Sequence, residues 1–155
     1  MSFIYETVVR PEWIDYNGHM QDAFYGLVFS YAVDALQDAV GFDRFYREGT
    51  GCTIYLLEEH KFFLREVFEG DALRVETLVL DVDEKRFHLH LTMRSRGAMV
   101  AVAELVEMHV SKHPAPHGVP MPARMRDALE RARAPSETVE TLRHRARMLG
   151  LHCRG

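Results

Sequence analysis

The sequence predicts an α+β domain in which one long helix lies against an antiparallel sheet of five strands. Two observations carry this. Residues 23–40 are apolar around most of a helical circumference, which requires a helix enclosed by other structure. On either side lie segments in which apolar and polar residues alternate between turn signals, the two-residue period of strands.

Each element can be justified in order. Residues 3–9, F-I-Y-E-T-V-V, are β-branched and aromatic and read as a strand, which Arg10-Pro11 ends. A polar loop follows. The helix is expected over 23–40, with Asp22 as its N-cap and Gly41 as its C-terminal cap. Ser30, Asp34, Gln37 and Asp38 form one polar stripe on it. Residues 42–51 are expected as a loop. Strands are then expected over 52–65, 72–82, 86–94 and 99–110, with turns at Glu69-Gly70-Asp71, Asp83-Glu84-Lys85 and Arg96-Gly97. In the third of these, Phe87, Leu89, Leu91 and Met93 alternate with His88, His90, Thr92 and Arg94. The four are expected to form an antiparallel meander. Residues 114–122 are proline-rich and irregular. Two polar helices, about 123–134 and 136–149, are expected as surface elements rather than active machinery. The organisation is therefore a domain over 1–113 and a C-terminal extension over 114–155 packed on the same domain. One enclosed helix against a five-stranded antiparallel sheet is the hot-dog arrangement. Its sheet edges stay open, which predicts a homodimer or a dimer of dimers.

Bulk properties exclude several classes. The 155 residues suit a single core. A formal net charge of -4 leaves no basic excess for nucleic acid or an anionic membrane surface. No apolar run approaches the roughly 20 residues that span a bilayer. The start, M-S-F-I-Y-E-T-V-V-R, lacks the pattern of a secretory signal. The two cysteines, Cys52 and Cys153, are far apart and read as free thiols of a cytoplasmic protein.

The chemistry concentrates in W-I-D-Y-N-G-H-M-Q-D-A-F-Y, residues 13–25. Asp15, Asn17, Gly18 and His19 stand just before the helix. Helix starts offer free N–H groups and positive potential, so this is where developing negative charge is best held. On their own, the same residues also suit an ordinary turn. Trp13, Tyr16, Phe24 and Tyr25 flank the motif, and aromatic faces attract quaternary ammonium groups. No G-x-S-x-G, P-loop or G-x-G-x-x-G stretch is present. His88 and His90 share a strand face but lack a third ligand at diagnostic spacing, so no metal is expected.

Asp15-Tyr16-Asn17-Gly18-His19-Met20 before Ala23-Phe24-Tyr25 resembles the motif of the 4-hydroxybenzoyl-CoA thioesterase-like hot-dog family. Phe68-Glu69-Gly70-Asp71-Ala72-Leu73-Arg74-Val75 resembles that family's G-D-x-L-x-V turn and strand. The resemblance covers about residues 3–112. Together with Val28-Phe29-Ser30-Tyr31-Ala32-Val33-Asp34-Ala35-Leu36, the motif looks most like the thioesterases of carnitine and betaine metabolism, implicated in hydrolysing betainyl-CoA. The resemblance implies hydrolysis of a short acyl-CoA to free acid and CoA, with CoA as part of the substrate and no other cofactor. It casts Asp15 as the catalytic carboxylate, nucleophile or general base, assisted by Asn17 and His19. Gly18 and the backbone at Asp22, Ala23, Phe24 and Tyr25 are expected to serve the oxyanion. Trp13, Tyr16, Glu58 and His60 are expected to contact substrate, the last two because their strand borders the neighbouring subunit's site in this fold. Lys61, Arg65, Arg94 and Arg96 are candidates for the CoA phosphates by type. Gln21 and Asp22 stand where the family often has asparagine, so no side-chain role is carried over to them. Two alternatives remain open from sequence: an enoyl-CoA hydratase or dehydratase, whose D-x-N-x-x-H loop differs by one residue in its spacing, and a non-catalytic acyl-CoA-binding module.

Overall fold

The computed structural model describes residues 1–151. The order of elements is β1 (Phe3–Val8), a 3-10 turn (Pro11–Trp13), α1 (Asp22–Val40), α2 (Arg44–Thr50), β2 (Cys52–Phe63), β3 (Ala72–Val82), β4 (Arg86–Ser95), β5 (Ala98–Ser111), β6 (His117–Gly118), α3 (Ala123–Ala132) and α4 (Ser136–Glu140). The sheet runs β1-β3-β4-β5-β2 with antiparallel pairings, and β6 adds to the end of β5. This is the expected hot-dog α+β fold.

The sheet curls around α1. Val28, Phe29, Ala32, Val33 and Leu36 of the helix are buried against Leu73 and Val75 of β3, Leu89, Leu91 and Met93 of β4 and Ala101, Ala103 and Leu105 of β5. The alternating β4 residues face the helix, as their period requires. Gly41 ends α1 at φ 106, a left-handed cap that only glycine adopts without strain. Among the described residues, no helix is long and apolar enough to cross a membrane.

Five sequence expectations are corrected. The strands do not form one meander: β2 pairs with β5, not β3. Period-two patterning fixes which face a side chain takes, not which strand lies beside it. Residues 44–50 are helical, because Asp43 caps them by accepting from the Tyr46 N–H at 2.9 Å and Gly51 closes them at φ 68. The cap of α1 is Gln21, without a side-chain bond, so Asp22 is the first helical residue instead. The last helix stops at Glu140; residues 143–147 instead cross the outer face of the sheet. The first helix of the C-terminal extension is also more than a surface element, since Met125, Leu129 and Ala132 of α3 are buried in the common core.

Candidate active site

The loop before α1 is folded on itself. Asp15 N–H donates to the His19 carbonyl at 3.1 Å, and Gly18 N–H to the Asp15 carbonyl at 3.0 Å. Ile14 and Met20 pair across it. Gly18 sits at φ 82, where a side chain would strain the turn. The loop is tied down by Met20 N–H donating to the Val67 carbonyl at 2.9 Å and Gln21 N–H to the Trp13 carbonyl at 3.0 Å. Asp15 Oδ1 accepts the Asn17 N–H at 2.8 Å. Its other oxygen has no hydrogen-bond partner among the described residues.

A pocket of ≈ 430 Å³ opens there. Asp15, Tyr16, Asn17 and His19 of the loop line one side, and Asp22 and Tyr25 of α1 another. Phe63, Arg65 and Glu66, at and beyond the end of β2, complete it. Tyr25 locks the helix to that strand end: its hydroxyl donates to the Arg65 carbonyl at 3.0 Å, and its ring meets Phe63 edge-on at 5.4 Å. His19 makes no hydrogen bond to the Asp15 carboxylate. Its Nε2 lies 3.7 Å from Glu66, and its ring packs edge-on against Phe68 at 6.5 Å.

The helix start supplies donors, though fewer than expected. Phe24 N–H already donates to the Gln21 carbonyl at 3.0 Å, and Tyr25 is a full turn inside the helix. Among the described residues, the backbone donors of the first turn left without a partner are those of Asp22 and Ala23, which the missing side-chain cap leaves available.

The aromatic expectation divides. Tyr16 and Tyr25 reach the pocket. Trp13 does not: it is buried, stacked on Phe24 at 5.7 Å, with the Arg10 guanidinium over its ring at 5.4 Å. Trp13 and Phe24 therefore brace the loop. Glu58 and His60 also lie elsewhere within the chain. They line a depression on the outer face with His88 and Glu104. A register shift between Leu56 and Glu58 sets the alternation, so Glu59, Lys61 and Phe63 face the helix instead. Of the basic residues, Arg65 lines the pocket and Lys61 lies over Gly26 of α1, whereas Arg94 and Arg96 stand at the β4–β5 turn, Arg96 paired with Asp71. Phe63 and Glu66 were missed by sequence reasoning, because only the curl of β2 brings its end to the start of α1.

A curled sheet around a helix that begins at an aspartate-bearing loop defines the hot-dog enzyme class. Residues 9–132 match the model of the thioesterase-like superfamily. A betainyl-CoA thioesterase of Pseudomonas aeruginosa is 49% identical over 109 residues, 69% of each chain. An L-carnitine dehydrogenase/betainyl-CoA thioesterase of Agrobacterium fabrum is 38% identical over 86% of this chain, which spans 28% of that longer protein. A Staphylococcus aureus protein solved in complex with CoA superposes with a TM-score of 0.81 at 27% identity, covering 96% of both chains. The chain belongs to the thioesterase-like superfamily. The expectation of a thioester hydrolase is borne out, and neither the hydratase nor the non-catalytic module is favoured.

Proposed function

We propose that this chain hydrolyses betainyl-CoA to glycine betaine and CoA at the pocket between the 15–22 loop, the start of α1 and the end of β2. The observation that carries the reading is the pairing of a half-free Asp15 carboxylate with open amides at Asp22 and Ala23. The thioester oxygen would take those amides, which hold the negative charge that develops on it. The Asp15 carboxylate, as nucleophile or as base on water, drives addition at the carbonyl carbon. The C–S bond breaks, CoA leaves as thiolate and takes up a proton, and water supplies the oxygen of the new carboxylate.

The pocket suits a cationic acyl group. Asp15, Asp22 and Glu66 bring three carboxylates to its wall, and Tyr25 and Phe63 add aromatic edges and faces. The relatives named as betainyl-CoA thioesterases support the same acyl group. Arg65 at the mouth is a candidate for the CoA phosphates.

The reading includes a cytoplasmic homodimer or dimer of dimers joined at β2. That strand pairs with β5 on one side, and among the described residues nothing pairs with the other; Tyr55, Leu56 and Leu57 are 41%, 51% and 49% exposed along it. Such a contact would carry Glu58 and His60 toward the partner.

Thiol release from betainyl-CoA tests the proposal. Asp15→Asn should lower kcat by roughly a thousandfold with an unchanged circular dichroism spectrum. Asp22→Pro deletes one amide donor where proline fits a first helical position, and should lower kcat about a hundredfold, whereas Asp22→Ala should not. Full activity in Asp15→Asn would remove the central assignment.

A further inference from the structure

A second cavity, of ≈ 470 Å³, lies along the same helix. The polar stripe of α1 lines it through Ser30, Asp34 and Asp38, facing Glu59 of β2 and Glu107 of β5. The first pocket ends at Tyr25 and this one begins at Gly26; along β2, Phe63 belongs to the first and Glu59 to the second.

Glu107 is the distinctive group. It follows Ala101, Ala103 and Leu105 on the inner face of β5 and is only 5% exposed. Among the described residues its carboxylate has no hydrogen-bond partner, and its charged neighbours include Asp34 and Glu59, of the same sign. Two of the other acids are paired with bases. Asp38 lies 3.7 Å from Arg47, which also draws on Asp34, and Glu59 lies 3.1 Å from Lys61. A buried carboxylate aimed into an acidic cavity without a donor is costly, and a cationic ligand removes that cost. Among the described residues no three side chains are gathered to hold a metal ion, and the cavity far exceeds a bare cation. The complementary ligand is an organic ammonium group.

Betainyl itself does not reach. Its nitrogen is two bonds from the carbonyl carbon, whereas Asp34 lies about 18 Å along the helix axis from Asp22, at 1.5 Å per residue. We infer that the Asp34–Glu59–Glu107 cavity receives the cationic end of longer acyl groups, so that the enzyme also hydrolyses CoA thioesters of ω-trimethylammonio acids. The inference rests on the thioester being held at Asp15. Lys61, whose Nζ lies 3.0 Å from where a Gly26 Cβ would stand, sits at the junction between the two pockets, and its flexible stem lets it swing aside.

The test compares three substrates in a thiol-release assay on the full chain: betainyl-CoA, 12-(trimethylammonio)dodecanoyl-CoA, whose extended chain approaches that span, and the isosteric acyl-CoA ending in a tert-butyl group. The charged long chain should exceed its neutral isostere in kcat/KM by about tenfold. Glu107→Gln should erase that advantage through KM while leaving betainyl-CoA and the neutral chain unchanged, and Asp34→Asn should do the same should the buried variant fold poorly. The advantage should also grow as pH rises through about 7, as Glu107 ionises while facing Asp34 and Asp38 of α1, Arg47 of α2, and Glu59 and Lys61 of β2. Equal turnover of the charged and neutral chains, or variants that change all three substrates alike, would overturn the inference. Turnover of betainyl-CoA with none of the charged long chain sinks this inference alone; inertness of all three sinks the reading of the Asp15 pocket as well.

Discussion

Glu104 and Glu107 stand three residues apart on β5, each 5% exposed, on opposite faces of the sheet. On the outer face, the C-terminal segment encloses Glu104. Arg145 donates to it through two nitrogens at 2.9 Å, the Ala146 N–H donates at 2.7 Å, and His88 Nε2 lies 2.8 Å away. Those donors outweigh burial and hold its carboxyl down at about 2. On the inner face, Glu107 meets burial and two like charges, and its carboxyl is pushed up to about 7. One strand thus carries two buried acids with opposite fates. A buried acid given a full set of donors fastens the fold, while one left without them is a cost that folding alone does not explain.

The strongest way to break this contrast is Glu104→Ala. It leaves Arg145, the Ala146 N–H and His88 facing an empty place and should cost about 3 kcal/mol. For a domain of this size that lowers Tm by about 8 °C, with thiol release per folded molecule unchanged. A loss of turnover at unchanged Tm would mean that the outer face belongs to the active site.

Glu107→Gln should act in the opposite direction. Folded Glu107 binds more protons than the unfolded carboxyl between 4.5 and about 7, so its contribution makes stability fall as pH rises across that window. The variant should be more stable than wild type above pH 7 by about 2 kcal/mol, with the difference fading toward pH 4.5. Glu104 gives the mirror image. Its contribution is present above 4.5 and is lost as pH falls toward about 2. Urea denaturation across pH would resolve both limbs, and a Glu107→Gln variant with the wild-type pH profile would undo the comparison. The smallest expected effect is His88→Gln. His88 is partly exposed and is one of several partners of Glu104, so its loss should cost about 0.5 kcal/mol.

The outer face also explains two histidines whose pattern suggested shared chemistry. His88 pairs with Glu104, whereas His90 is buried and its Nε2 donates to the Arg143 carbonyl at 3.2 Å. Burial holds His90 below the usual imidazole range. Neither position is legible from β4 alone, because their partners lie more than a dozen residues away in sequence.

Much of the molecule could be read from the chain by itself. The two-residue alternation in 86–94 assigned Phe87, Leu89, Leu91 and Met93 to the core, because strand geometry leaves a side chain only two directions. The apolar girth of 23–40 marked an enclosed helix, and Gly41 marked its end, since local backbone conformation depends on local residue type. The position of Asp15 before that helix followed from sequence order alone. Tertiary structure decided the rest. It placed β2 beside β5, used a register shift to turn Glu59 rather than Glu58 and His60 toward the helix, buried Trp13 against Arg10 and Phe24, and brought Phe63 and Glu66 to Asp15. It also gave Glu104 its donors and left Glu107 without them. Local sequence specifies the direction in which a group points, but the solvation and charge that it meets there come from chain segments remote in sequence, and those set its chemistry.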